Sequence, residues 1–191
     1  MEINYHKFYS HHLRENFEIK VFGKYGKPII VFPSSCGRFY DFENFGMIHE
    51  IKEYIETGDI FVVCVDGRDF ETWYSPQKDE NMGKRHREYE LAICEDVKQF
   101  LYDVYKVRER FLATGVSGGA YHSLNFNLKF PEIFDSSISL SGVYSLKHMV
   151  GDYFDLSIYY NDILMYLSNL NDSSLLNQIR QSYFIICHGQ G

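Results

Sequence analysis

The chain has 191 residues, of which 45% are hydrophobic and 24% are charged, and its formal net charge at pH 7 is −7. This length and composition predict one folded domain with a sizeable core. The negative charge argues against nucleic-acid binding, which needs a basic face. The basic cluster "GKRHRE" at 83–88 is followed by acidic residues, and it predicts a solvated helix start.

Cysteine usage and hydropathy indicate the cellular compartment of the protein. Its four cysteines form no CxxC pair and no metal-like spacing, so we expect no metal site. The first residues lack the apolar region of a secretory signal, and no run of 18 apolar residues could span a membrane. These features predict a cytoplasmic protein that has no membrane contact.

The first half of the chain alternates strand and helix patterns. Residues 16–23 alternate apolar and polar side chains, which predicts an antiparallel entry strand. Residues 28–33, "PIIVFP", and 60–66, "IFVVCVD", are continuous apolar runs typical of buried strands. Between these two runs, residues 43–58 have apolar side chains at helical spacing and end in a glycine.

The second half continues the alternation. Residues 87–105 predict a long amphipathic helix, residues 110–116 a strand, and residues 118–129 a helix. A less apolar strand is expected at 136–142, a helical or irregular region at 144–177, and a final buried strand at 182–189. Such alternation predicts an α/β fold whose sheet is mostly parallel, with ligands gathered at the carboxyl ends of the strands.

A serine stands between the strand at 110–116 and the helix that follows it. The stretch "GVSGG" satisfies the G-x-S-x-G pattern around Ser117 and has the strand–turn–helix context that this pattern requires. In such a sharp turn the neighbours of the serine must be small, and the start of the next helix favours developing negative charge. We therefore expect Ser117 to be a nucleophile and the backbone N–H of Gly118 to donate to an oxyanion.

A second oxyanion donor is expected in the loop after the strand at 28–33. This loop, "PSSCGRFYDFENFG", begins with small residues that let the backbone approach a ligand closely. Its Cys36 has no nucleophile motif around it, so we interpret it as a small loop residue. A phosphate-binding loop is disfavoured because no lysine follows the glycines after Ser117.

Four stretches resemble one known family over nearly the whole chain: "FPSSCGRFYDFENFGMI", "CVDGRDFETWY", "GVSGGAYHSLNFNLKFPEIFDSSISLSGVY" and "YFIICHGQG". They look like the putative-esterase family of α/β hydrolases, the group that contains esterase D (S-formylglutathione hydrolase), feruloyl esterases and mycolyltransferases. The resemblance implies an α/β-hydrolase fold with antiparallel N-terminal strands. It also implies Ser117 as nucleophile, and the N–H groups of Gly118 and Ser35 as the oxyanion hole.

The resemblance also implies an acid after the strand at 182–189 and a histidine one strand later. The chain ends at Gly191, before either residue. We therefore expect residues 1–191 to be an incomplete α/β-hydrolase domain that lacks its last strand and helix. Since a serine without a base is a poor nucleophile, the expected activity of this chain is weak or absent.

Histidines inside the chain offer alternatives for the base. His122 lies five residues after Ser117 on the following helix, about 140° away from it around the helix axis, so we expect it to pack or to cap. His148 lies in the variable region at 144–177. His188 ends the last strand and, with Asp152, Asp155, Asp162 or Asp172, would give the order Ser–Asp–His, but its apolar surroundings favour a core or edge histidine.

The loop after the strand at 60–66, "DGRDFETWYSPQ", and the loop after 28–33 carry the candidate substrate-binding residues Arg38, Trp73 and Tyr74. Arg68 in the first of these loops could meet an anionic substrate. The alternative is a loop that packs its rings on the core. The region at 151–166 is interpreted either as a lid surface or as core.

Together these patterns predict a serine esterase that acts on a small-molecule carboxylic ester or thioester through an acyl-Ser117 intermediate, without cofactor. Two alternatives stay open: a catalytically disabled fold that serves binding or assembly, and an acyltransferase. An uncovered C-terminal sheet edge would invite pairing with a second copy, so a homo-oligomer is a further expectation.

Overall fold

A computed structural model describes residues 1–189 as a seven-stranded sheet with helices on both faces. The spatial order is β1-β2-β4-β3-β5-β6-β7. Strands β1 and β2, and β2 and β4, pair antiparallel, and the remaining neighbours pair parallel. The strands are β1 (Ile3–Ser10), β2 (Glu15–Phe22), β3 (Lys27–Phe32), β4 (Ile60–Val65), β5 (Phe111–Val116), β6 (Phe134–Leu140) and β7 (Tyr183–Cys187).

Strands β3 and β4 are buried along almost their whole length, because helices cover both faces of the sheet at this point. The predicted α/β layering with an antiparallel start and a mostly parallel sheet is therefore confirmed. Strand β1 was not predicted; its side chains alternate between exposed and half-buried, as expected for an edge strand.

One face of the sheet carries three short helices, α1 (Asp41–Asn44), α2 (Met47–Glu50) and α3 (Lys52–Thr57). The sequence predicted a single helix over 43–58. The structure interrupts it at Gly46, which has φ +82°, a left-handed conformation that ends α1 and starts α2. Buried side chains of these helices pack on β3 and β4 to form one hydrophobic cluster.

The opposite face carries the long helical segments. Helix α4 (Glu80–Leu91) continues through a π-helical stretch (Ala92–Val97) into α5 (Lys98–Tyr105), and helix α6 is Gly118–Lys129. Helix α4 begins seven residues before the predicted start because the Asp79 side chain caps it by accepting from the N–H of Asn81. The expectation of a solvated start at 83–88 is wrong in part, since Gly83 and His86 are buried.

The C-terminal part contains four short helices, α7 (Lys147–Val150), α8 (Leu156–Tyr159), α9 (Ile163–Tyr166) and α10 (Ser173–Ile179). Strand β7 follows and pairs with β6. The prediction of a buried final strand is wrong, because β7 lies at the sheet edge within residues 1–189. Tyr183 is 78% exposed, and Ile185 and Ile186 are each 52% exposed.

None of the helices in residues 1–189 combines the length and the apolar character needed to cross a membrane.

Candidate active site

Ser117 forms the turn between β5 and α6, at the carboxyl ends of the parallel strands. Ser117 has φ 57° and ψ −114°, a conformation that a non-glycine residue adopts only under strain. Its N–H donates to the carbonyl of Leu140 at 2.9 Å, which ties the turn to the end of β6. The carbonyl of Ser117 accepts from the N–H groups of Ala120 and Tyr121, which starts α6 directly behind the serine.

The glycines around Ser117 are required by close backbone approaches. A side chain at Gly115 would lie 2.5 Å from the backbone carbon of Gly119. A side chain at Gly119 would collide with the carbonyl oxygen of Phe32 and would lie 2.7 Å from that of Pro33. The spacing of the motif therefore lets α6 pack directly against the ends of β3 and β5.

Gly118 and Ser35, the two residues expected to form an oxyanion hole, lie side by side. A Cβ at Gly118 would be 2.9 Å from the Ser35 backbone nitrogen and in collision with the Ser35 hydroxyl. The Tyr74 hydroxyl donates to the Ser35 hydroxyl at 3.0 Å. The structure thus brings together Gly118, which follows the serine, Ser35 from the loop after β3, and Tyr74 from the loop after β4.

The loop after β3 is held by buried carboxylates at the end of β4. The Asp66 carboxylate, which is nearly inaccessible, accepts from Arg38 Nε at 2.5 Å and from the Phe39 N–H at 3.3 Å. The second guanidinium contact of Arg38 is to Glu18, at 2.8 Å. Arg38, a predicted substrate-binding residue, is thus held by two carboxylates of the protein itself.

Trp73, another predicted substrate-binding residue, lies in the core instead of on a pocket surface. It is 1% exposed and its ring centroid is 4.5 Å from that of His86. The Arg68 guanidinium is also paired within the protein, because it donates to Asp66 and Glu15. Of the loop after β4, Tyr74 is the predicted residue that reaches Ser35.

Cys36 follows Ser35 in a left-handed conformation, with φ 58°. Burial raises the pKa of its thiol, and the neighbouring Asp69 carboxylate raises it further. The thiol therefore stays protonated at neutral pH and is a weak nucleophile. This agrees with its interpretation as a small loop residue.

Among residues 1–189, no histidine is hydrogen-bonded to the Ser117 hydroxyl. His122 is buried and its Nε2 lies 2.9 Å from Asp69 Oδ1, so it packs, as expected, but in an unforeseen pair. His188 is exposed directly after the edge strand β7, and its ring contacts the carbonyl of Gly189. Of the two expected positions, core and edge, the core position is wrong. His148, an alternative base in the sequence, is exposed on α7. The remaining histidines contact the following groups: His6 the Tyr105 hydroxyl, His11 the Tyr9 ring, His12 Glu95 and Asp96, His49 Glu50, and His86 Glu90.

The aspartates considered as partners of His188 have other roles. Asp155, Asp162 and Asp172 each cap a helix, accepting from backbone N–H groups at the starts of α8, α9 and α10. Asp152 is exposed. Residues 190 and 191 lie outside the described residues.

Asp66 and Asp69 are the site residues that the sequence analysis missed. Both follow β4 directly in "VDGRDF", at the carboxyl end of a buried strand, where chemistry-bearing side chains gather. Their position was thus a usable signal. Their partners in the loop after β3 and in α6 are distant in sequence, so the sequence did not reveal the contacts.

A mainly apolar cavity of about 250 Å³ adjoins this region. Its wall includes Val116, which precedes Ser117, and Ser34, which precedes Ser35, so it borders both halves of the site. The other lining side chains come from the end of β3 and from α1 and α2: Phe32, Pro33, Asp41, Phe42, Phe45 and Met47. Within residues 1–189, no group of three or more His, Cys, Asp or Glu side chains is arranged to hold a metal ion.

Residues 10–174 match the family model described as "Putative esterase", and the chain belongs to this family. No match was found among the curated proteins.

Solved structures with similar folds include FphF of Staphylococcus aureus, a fluorophosphonate-binding serine hydrolase, with a TM-score of 0.72, 13% identity, and coverage of 99% of this chain and 79% of that one. A ferulic acid esterase has a TM-score of 0.72 at 12% identity, with 98% and 90% covered. An S-formylglutathione hydrolase from Agrobacterium tumefaciens has a TM-score of 0.68 at 13% identity, with 98% and 85% covered. These similarities show the α/β-hydrolase fold.

Proposed function

We propose that this chain is a serine hydrolase of carboxylic esters or thioesters, in which the Ser117 hydroxyl attacks the carbonyl carbon and forms an acyl-serine. The observation that carries the proposal is the strained conformation of Ser117 at the β5–α6 turn, with Gly118 packed against Ser35. Such a turn exposes a hydroxyl above the sheet and keeps backbone N–H donors beside it.

The N–H groups of Gly118 and Ser35 are the proposed oxyanion donors. In acyl transfer, negative charge develops on the carbonyl oxygen, and donors that are already oriented toward it stabilise the transition state. Removal of one such donor typically lowers kcat by about 10²–10³. The Ser35 donor belongs to a loop whose backbone is anchored by buried carboxylates, which favours a fixed position.

The cavity beside Val116 and Ser34 is the proposed site for an apolar part of the ester. Its lining of Phe42, Phe45 and Met47 would desolvate an alkyl or aryl group, whereas its carboxylate, Asp41, disfavours an anionic one. Tyr74 is proposed to contact the substrate near Ser35. Arg38 and Trp73, the other two candidate substrate-binding residues, are not part of this proposal. Arg38 is paired with carboxylates of the protein, and Trp73 is buried.

We expect slow turnover by residues 1–191. Within the described part of the chain, no histidine is hydrogen-bonded to the Ser117 hydroxyl, and a serine hydroxyl with no general base is a weak nucleophile at neutral pH. Oxyanion donors and substrate binding alone still accelerate acyl transfer about 10³–10⁴-fold over water in proteases that lack triad members. This acceleration does not use the serine, so we expect it in Ser117→Ala as well, and attack by Ser117 should raise the turnover of the wild-type chain above that level.

The proposal is tested with a fluorophosphonate probe and with p-nitrophenyl acetate and butyrate. We expect labelling at Ser117, located by peptide mass spectrometry, and hydrolysis above that of Ser117→Ala. A Cys36→Ser variant serves as control and is expected to keep both signals. Absence of labelling together with turnover equal to that of Ser117→Ala would overturn the proposal and favour a fold used for binding. Preferential transfer to an added alcohol would instead identify an acyltransferase.

A further inference from the structure

A buried carboxylate joins the two halves of the proposed oxyanion hole. Asp69 lies in a single 3-10 turn (Asp69–Glu71) after β4 and is 5% exposed. One of its oxygens, Oδ2, accepts from the backbone N–H of Cys36 at 2.9 Å. The other, Oδ1, lies 2.9 Å from Nε2 of His122. A single side chain therefore connects the loop after β3 with helix α6.

On the loop side, Asp69 holds a residue in a disfavoured conformation. Cys36 has φ 58°, and a non-glycine residue persists in this left-handed region only where the surrounding structure holds it there. The Asp69 carboxylate is the partner of the Cys36 N–H. Because Cys36 follows Ser35 directly, the orientation of Cys36 determines where the loop presents the Ser35 donor.

On the helix side, His122 is immobilised by its packing. It is 4% exposed, and its ring packs near those of Phe32 and His86, each with its centroid 5.8 Å away. His122 occupies the second turn of α6, the helix that begins with Gly118. A contact to His122 thus fixes a group relative to the Gly118 donor.

The charge balance of Asp69 depends on these same two contacts. Burial alone would raise the pKa of the Asp69 carboxyl, but His122 and the Cys36 N–H outweigh burial and lower it. The carboxylate is therefore ionised at neutral pH, and an ionised acceptor makes the stronger hydrogen bonds. Removing either partner leaves a buried charge incompletely satisfied.

We infer that Asp69 and His122 are positioning residues, which keep the N–H groups of Ser35 and Gly118 at the separation that an oxyanion needs. This inference rests on the proposed function, because it assigns the pair a role in the same reaction. Neither residue touches the substrate. They act through the backbone of the loop after β3, and a displacement of about 1 Å at a reacting centre costs about 10²-fold in rate.

The test compares His122→Leu with His122→Gln. Leucine removes the donor, whereas the Nε2 of glutamine replaces that of histidine. We expect His122→Leu to lower kcat by about 10- to 100-fold with KM changed less than about twofold, and His122→Gln to recover most of the loss. Asp69→Asn offers one acceptor oxygen in place of two, so we expect its kcat to lie between those of His122→Leu and His122→Gln. This variant replaces His122→Leu in the test if His122→Leu does not fold.

A matched control is Glu90→Gln. Glu90 is another buried carboxylate next to a histidine, 3.6 Å from Nε2 of His86, and it also pairs with Lys129 and Arg87. It has no contact with the loop after β3. We expect Glu90→Gln to lose stability and to keep kcat. An equal loss of kcat in Glu90→Gln would show a general effect of stability and overturn the inference.

A second measurement does not depend on turnover. Amide hydrogen exchange at Cys36, followed by ¹⁵N NMR, is expected to become faster in His122→Leu and Asp69→Asn and to stay unchanged in Glu90→Gln. Unchanged exchange at Cys36, or wild-type kcat in a folded His122→Leu, overturns the inference. A wild-type chain without activity on any ester would overturn the proposed function, while the exchange measurement would still decide whether the pair holds the loop.

Discussion

At Ser117 the backbone is strained, and the glycines that flank it leave no room for larger side chains. These steric requirements are properties of a few atoms, so a local sequence pattern can encode them. The pattern "GVSGG" predicted the strand–turn–helix geometry correctly for this reason. The roles of Ser117, Gly118 and Ser35 in catalysis stay predictions.

Replacing Gly119 with alanine is expected to destabilise the protein. The new methyl group would meet the carbonyl oxygens of Phe32 and Pro33, which are backbone atoms and cannot rotate away. We expect the free energy of unfolding to fall by about 1–3 kcal/mol, even though alanine favours a helix. Urea denaturation measures this change. Gly189→Ala, at a position with open space, is the control, and an equal effect in both variants would contradict the steric argument.

His86 is expected to make stability depend on pH. Burial lowers the pKa of His86, and this effect outweighs the opposing influence of Glu90. Between the folded pKa and the unfolded value of about 6.5, the unfolded state binds more protons. The free energy of unfolding should therefore fall as the pH falls below about 6.5.

The variant His86→Phe should flatten this dependence below about pH 6.5, because it removes one titrating group. His6, whose pKa is also lowered by burial, contributes in the same range, so some slope should persist. Glu90, Lys129, Arg87 and His122 are the charged or titratable groups near His86. Denaturation at several pH values, with His49→Gln as an exposed control, checks the result. An unchanged slope in His86→Phe would contradict it.

Among the secondary-structure elements, the buried strands were the easiest to predict. Strands β3, β4 and β5 are continuous apolar runs, and their ends lie within one or two residues of the predicted ones. The helices were harder, because Gly46 divides a periodic apolar segment and a capping aspartate extends α4 toward the N-terminus. The ends of these helices depend on single residues, which hydrophobic periodicity does not take into account.

Two capping aspartates in the C-terminal region should contribute different amounts to the free energy of unfolding. Asp172 caps α10 and accepts from two first-turn N–H groups in an exposed setting, so Asp172→Ala is expected to cost about 1 kcal/mol. Asp162 is fully buried and accepts from the N–H groups of Leu146 and Met165 and from the Ser145 hydroxyl. Asp162→Ala leaves these donors without a partner and should cost about 2–4 kcal/mol.

Thermal denaturation of the two variants side by side measures this difference. Asp162→Asn, which keeps an acceptor oxygen, should recover part of the loss. Equal effects of Asp162→Ala and Asp172→Ala would show that burial does not decide the strength of these caps.

For the whole molecule, the packing of α6 onto the sheet dominates the core beneath the candidate site. Phe126 is fully buried, with ring centroids at 4.7 Å from Phe32 and 5.8 Å from Phe134. We expect Phe126→Ala to lower the free energy of unfolding by about 3–5 kcal/mol. Phe154→Ala, at a ring that is 59% exposed, should change it by less than about 0.5 kcal/mol. Chemical denaturation tests both, and similar losses would contradict this view of the core.

Strand β7 exposes apolar side chains at the edge of the sheet within residues 1–189. Association of two copies along this strand stays a prediction.

The sequence by itself determined the layered α/β class, the position of the candidate nucleophile and the family, because strand periodicity and glycine-rich turns are local properties. Only the tertiary structure decided that Trp73 is buried, that β7 lies at an edge and that Asp69 joins Cys36 to His122. Each of these depends on segments that are far apart in the chain and meet only when the sheet is assembled. The short motif at Ser117 thus encodes the turn, whereas the loop after β3 is held through Asp69, which follows β4 and also contacts α6.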